Sequence, residues 1–276
     1  MIKYRGKLTM DERYTKILNI SKSLIEFLEI IYLRNINNKS CSILITDKRI
    51  VNELNLADSE NERLKIIKKS KVLYSLYKEK LFAYLLCDFC HYMYESLHCV
   101  FEFKPQIAYT LARKPLIDDI FYFQYLYLES DEVIDLILSE NASDKDVGNK
   151  NNFDKDKKQS KIISEQIGFT YVNPFTLRRD KEVEYSILNN CNKSMHISTS
   201  RQTVSITQSG ELNFIFMDDN VIEGYIKLYL NTVPLLLFYV GRIVLSINER
   251  LNGEDKMLHS LLNKLQKQYE DTIKLS

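Results

Sequence analysis

Cys87, Cys90, His91, Glu95 and His98 are the closest gathering of metal-capable side chains in the sequence. On an α-helix Cys87, Cys90, His91, Tyr94 and His98 recur at intervals of three and four and share a face, and Glu95 with His98 forms a Glu-x-x-His pair of the kind that holds iron in four-helix bundles. A structural zinc site needs four Cys or His ligands and a di-iron site needs a second Glu-x-x-His pair; the sequence completes neither. The pentapeptide from Cys87 to His91 also reads C-x-x-C-H, the attachment pattern for c-type haem. It sits inside a helical pattern rather than a flexible loop, and no export signal precedes it. The five residues stand as candidate metal ligands against the simpler expectation of buried thiols beside hydrogen-bonded histidines, and no cofactor is expected.

A second grouping is Arg113, Asp118 and Asp119 around Pro115, ahead of an aromatic run. With His91 these are the candidates for a polar pocket: Arg113 to grip an anion, the two carboxylates to hold a hydrated cation. Acidic residues in the first turn of a helix also complement its dipole, which is the structural expectation for the aspartates. Lys65, Lys68, Lys69 and Lys71, interleaved further on with Tyr74 and Tyr77, are the candidates for a nucleic-acid contact. Glu60, Glu62 and Glu79 dilute that charge, and a solvated helix face is the expectation there.

Other chemistries lack their signatures. Helical ribonucleases of the prokaryotic toxin type use Arg followed by His four to six residues on, and none of His91, His98, His196 and His259 has such an Arg before it. There is no Gly-x-Ser-x-Gly elbow and no glycine-rich phosphate loop.

The elements that must position these groups follow from composition and punctuation. A chain of 276 residues with 45% hydrophobic content can bury a large core. Lys plus Arg against Asp plus Glu is 38 against 37, so no global field draws it to nucleic acid or an anionic membrane. Five scattered Cys read as reduced thiols, and the N-terminal residues lack a hydrophobic export segment, so a cytoplasmic location is expected.

Neither Gly nor Pro occurs between Gly6 and Pro105, which predicts long helices. They are placed at 11–33, at 60–102 with a kink, at 106–113, 116–128 and 131–139, in two pieces over 162–190, from 220 with a bend or break at Pro234, and at 254–274. Ser59 with Glu62 fits a capping box. Residues 41–56 are open between strand and helix. The Asn-, Asp- and Lys-rich stretch 140–161 has almost nothing apolar to bury and is read as a mobile linker or loop. Alternation in Val204, Ile206, Leu212, Phe214 and Phe216 predicts a β-hairpin at about 195–217. The apolar run 230–247 contains Asn231, Pro234 and Arg242 and is expected to be a core helix, so no transmembrane segment is expected.

The segment 111–126, LARKPLIDDIFYFQYL, resembles stretches in uncharacterised bacterial helical proteins, and 212–216 before an aromatic helix is similar to the same group. The resemblance covers about a quarter of the chain and implies no activity. The surplus of Lys, Ile and Asn suits an AT-rich genome.

The expected fold is mainly α, a multi-helix bundle with a small antiparallel β-hairpin insertion. Residues 1–139 form a helical core, 140–161 a linker, and 162–276 a helical region packed on the first. The expected function is that of a non-catalytic scaffold or interaction protein with a protein partner or self-association. The alternatives are an enzyme or ligand sensor with a polar pocket, and nucleic-acid binding through the 65–80 stretch.

Overall fold

A computed structural model of the chain describes residues 8–38, 48–128, 132, 133, 136, 150–180, 182, 183, 185–195 and 219–274. These residues are mainly helical, with no strand among them. In chain order the helices are α1 (Glu12–Asn38), α2 (Lys48–Leu56), α3 (Glu60–Lys69), α4 (Lys71–Phe101) and α5 (Pro105–Arg113). A π-helical turn (Lys114–Asp119) then leads into α6 (Ile120–Tyr127). Beyond it lie α7 (Lys150–Gln166), α8 (Pro174–Arg179), α9 (Ile187–Met195), α10 (Asp219–Asn252) and α11 (Lys256–Lys274).

The helical periodicity of α1 places Ile17, Leu18, Leu24, Ile25, Leu28 and Ile31 in the core, where α1 packs on α4, α10 and α11. An amide ladder sets the register of α1 on α10: Asn35 donates to Asn248 at 3.0 Å, and Asn252 donates to Asn35 at 3.0 Å and to Asn248 at 2.9 Å. α5 lies between α4 and α9, and α6 lies between α10 and α7. The aromatic middle is closed: Phe89, Tyr109, Phe121, Phe123, Tyr229 and Tyr239 are fully buried, with Phe123 set edge-on to Phe89 at 5.8 Å and to Phe82 at 6.3 Å.

The cap signals lie where expected. Ser59 Oγ accepts from the Glu62 N–H at 3.2 Å, and Glu62 reaches back to the Asp58 N–H at 2.9 Å. Ser70 divides the expected 60–102 helix by capping α4. Gly253, at φ 88°, turns the chain after α10, and the Asp255 side chain accepts from the Met257 and Leu258 N–H groups at 2.9 and 3.0 Å to start α11.

Three expectations are corrected. Residues 150–161 are not linker but most of α7, with Asn152, Asp156 and Ser160 buried along one face; the segment is anchored by polar partners, which a count of apolar residues misses. The chain runs through Pro115 instead of stopping there. Proline has no N–H to offer and crowds the carbonyl four residues back, and the turn widens so that the Ile120 N–H reaches the Pro115 carbonyl. Of the bend or break expected at Pro234, the break is absent: α10 is one helix from Asp219 to Asn252.

Residues 140–149, 41–47, nearly all of the expected hairpin at about 195–217 and most of 131–139 lie outside the described residues. Among the described residues α10 alone is long and apolar enough to cross a membrane, and 78% of its most apolar stretch is buried inside the fold. Its Arg242 donates to Gln266 of α11 at 2.5 Å.

Candidate functional site

The residues singled out by sequence do not come together. On α4, His91, Glu95 and His98 face solvent and Cys87 is half-buried, its Sγ 3.4 Å from His91 Nδ1. Cys90 turns inward: it is 2% exposed, and burial, with the nearby Glu29, pushes its thiol above the ordinary range. A helical face wide enough to take in all five straddles the boundary between core and water. Among the described residues no group of three or more His, Cys, Asp or Glu side chains gathers to hold a metal.

Arg113, Asp118 and Asp119 sit at the π-helical turn, the first two near Cys191 and the third held by Lys114. Arg113 and Asp118 both act on the buried thiol of Cys191 in α9, Arg113 lowering and Asp118 raising its pKa, while burial dominates and raises it. Asp118 also supports the charge of Arg179. Asp119 is 2% exposed and is met by Lys114 Nζ at 3.1 Å, which in turn contacts Asp88 of α4 at 3.0 Å. Burial pushes the Asp119 carboxyl up to about 7 against the pull of Lys114. Lys65, Lys68, Lys69 and Lys71 are exposed, and in α3 Glu60 and Glu62 begin the helix while Lys68 and Lys69 end it, which is the order the helix dipole favours.

Sequence reading missed the principal polar centre of the interior. The Asp156 carboxylate, wholly buried in α7, accepts from Arg178 Nη2 and, at 3.0 Å, from Arg179 Nη1, both in α8. Arg178 also donates to the Leu116 and Ile117 carbonyls at 3.4 Å each, acceptors presented by the widened turn. A guanidinium can only donate, so the Gln124 amide turns its oxygen to Arg178 (3.3 Å) and Tyr239 (3.1 Å) and its nitrogen to Asp156 (2.9 Å). The spacing Asn152, Asp156, Ser160 along α7 was the available signal, a helical stripe hidden because it is polar.

Two clefts open beside the C-terminal end of α10, separated by Arg250, whose guanidinium lies 5.0 Å over the Tyr127 ring. One, of about 820 Å³, is lined by Gln166, Ser246, Glu249, Glu254 and His259 with Tyr127. The other, of about 360 Å³, has Phe82, Leu126 and Ile247 on its walls. In the first, His259 Nε2 and Glu249 Oε1 lie 2.5 Å apart. A carboxylate so placed fixes the imidazole, and with Arg250 alongside the cleft can bind a polar or anionic group and exchange a proton with it. The pair forms because the Gly253 turn folds α11 back on α10, a closure that residues ten apart do not announce. None of His91, His98, Arg113, Asp118 and Asp119 lines either cleft.

No family model, curated protein or solved structure matches the chain.

Proposed function

We propose that this chain is a non-catalytic helical interaction protein, whose closed aromatic core holds a rigid presenting face on α4. The observation that carries the reading is the row of rings on that helix: Tyr84, Tyr94 and Phe101 are each more than half exposed, in contrast to the buried rings behind them. Aromatic side chains gathered on an exposed surface are the compositional mark of a contact site. In the same reading the chain works in the cytoplasm of a bacterium, and the β-hairpin expected at about 195–217 offers partners a second surface.

The test is chemical cross-linking of the chain in its native cells, with the cross-links mapped. Links concentrated on Lys22, Lys80 and Lys114, which border the α4 face through their contacts with Phe101, Tyr84 and Tyr92, are expected. Links gathered instead around α10 and α11 would refute it. A second reading, a sensor of a small polar ligand, is favoured by the His259 and Glu249 pair in the cleft beside Arg250. Thermal stabilisation by small anions, lost in Arg250→Ala, would select it.

A further inference from the structure

The C-x-x-C-H stretch of α4 does not gather a metal-binding group, but it sets two free thiols one helical turn apart. Three residues along an α-helix advance about 4.5 Å and turn through about 300°, which leaves the Cα atoms of Cys87 and Cys90 about 5 Å apart and their side chains about 60° apart around the axis. Disulfides span Cα separations of about 4.4 to 6.8 Å, so the two can be joined. On a regular helix their Cβ atoms stand about 5 to 6 Å apart against about 3.5 to 4.5 Å in a disulfide, so joining them tightens that turn.

The boundary between core and water runs between the two thiols. Cys87 is half-buried and open to a small solute, whereas Cys90 is 2% exposed. Burial first, then the Glu29 carboxylate and a negative charge on Cys87, push the Cys90 thiol up, so it keeps its proton while Cys87 lies within its electrostatic reach.

His91 adds to the difference. Its Nδ1 lies 2.9 Å from the Cys87 carbonyl oxygen, which can only accept, so Nδ1 carries the hydrogen. The same N–H stands 3.4 Å from Cys87 Sγ, where it favours a thiolate over a thiol. The ring is exposed, and a proton taken up at Nε2 adds positive charge beside the sulfur without displacing that N–H. The remaining described cysteines have no such setting. Cys191 is fully buried and donates to the Tyr109 carbonyl at 3.0 Å, and Cys99 stands about 13 Å along the axis from Cys90, beyond disulfide reach.

We propose that Cys87 and Cys90 are a redox-active dithiol, in which a small hydroperoxide oxidises Cys87 and Cys90 then closes a disulfide on it. In the first step the Cys87 thiolate attacks a peroxide oxygen: an S–O bond forms, the O–O bond breaks, and the departing oxygen takes up a proton, leaving a sulfenic acid. In the second the Cys90 sulfur attacks Cys87 Sγ: the S–S bond forms, the S–O bond breaks, and water leaves with the Cys90 proton. Two thiols and one hydrogen peroxide become one disulfide and two waters. A thiol reductant reverses the product by exchange. The site stands whether or not a partner binds α4, and so goes beyond the interaction reading.

The experiment treats the full chain with a small excess of hydrogen peroxide, blocks remaining thiols with iodoacetamide, and maps the product by tandem mass spectrometry, with circular dichroism to check folding. The wild type should lose two hydrogen masses at a link between Cys87 and Cys90, and dithiothreitol should restore both thiols. Cys90→Ser should stop at the sulfenic acid, which dimedone traps on Cys87, and Cys87→Ser should leave Cys90 reduced. His91→Leu should slow the loss of thiol by about threefold, within the worth of one hydrogen bond, and His91→Gln, which keeps an N–H donor, should restore the rate. A folded wild type whose Cys87 and Cys90 stay reduced overturns the proposal. So does oxidation that stops at Cys87 without a link, a link between chains instead of within one, or a rate that His91→Leu leaves unchanged.

Discussion

The π-helical turn makes a pH-dependent prediction that a single atom exchange can test. The Asp119 side chain is buried and held by Lys114, yet burial sets its carboxyl at about 7 in the folded chain against 3.8 for the free side chain. Between those values the folded chain keeps a proton that the unfolded chain has released. The unfolded state therefore binds fewer protons, and stability falls as pH rises, by about 1.4 kcal/mol per unit. This contribution is fully present below pH 3.8 and lost once the pH passes about 7. Asp119→Asn replaces the carboxyl by a neutral isostere that exchanges no proton, and Lys114 retains Asp88. From pH 4.5 to 7.5 the stability of the wild type relative to the variant should fall by about 3 kcal/mol, the histidines and other carboxylates cancelling in the difference. Urea unfolding followed by circular dichroism at four pH values, on both proteins in parallel, reads this directly. A difference that stays constant across the range would refute the assignment of the raised carboxyl to Asp119.

Two further substitutions probe the packing. Asp156→Ala leaves Arg178 and Arg179 buried without their shared carboxylate and should cost about 3 to 5 kcal/mol in a urea melt, a large part of the stability of a domain. Gly241 lies where α10 meets α1 and α11, and a Cβ there would stand 3.2 Å from Leu262 Cδ1 and 3.7 Å from Phe27 Cε1. Gly241→Ala should stay within about 1 kcal/mol of wild type, because the gain in helix propensity offsets the small shift of Leu262, whereas Gly241→Val should lose about 1 to 3 kcal/mol.

What sequence reading captured and what it missed differ in the chemistry of the buried face. α1 and α11 bury apolar residues at helical intervals, and the Ser59 and Glu62 box and Gly253 are local signals that act where they stand. α7 obeys the same geometry with Asn152, Asp156 and Ser160 inside, and its partners Arg178 and Arg179 belong to another helix. No window along the chain holds both halves of such a pairing, so the stretch carries the composition of a linker. The cleft pair of Glu249 and His259 escaped for a related reason, since a turn and not a periodicity brings it together. The metal candidates on α4 share a helical phase without sharing an environment: Cys90 and His91 are neighbours on opposite sides of the core boundary.

The Asp156 node also bears on how α4 is held in place. Two guanidiniums on one carboxylate are poor value as stabilisation, because desolvating them offsets most of the attraction. What the node supplies is position: Arg178 joins α8 to α7 through Asp156 and to the π-helical turn through the Leu116 and Ile117 carbonyls. That turn carries Lys114, which reaches Asp88 on α4. The interior is thereby tied to the flank of the aromatic face through directional contacts, each with one good geometry, where apolar packing alone would tolerate sliding. If Asp156 is lost and the chain still folds, the contact of Lys114 with α4 should loosen before the middle of that helix, read as faster amide exchange at the turn around Lys114. Equal amide exchange at that turn in a folded Asp156→Asn variant and the wild type would sever this link and leave the node a purely local feature of α7 and α8.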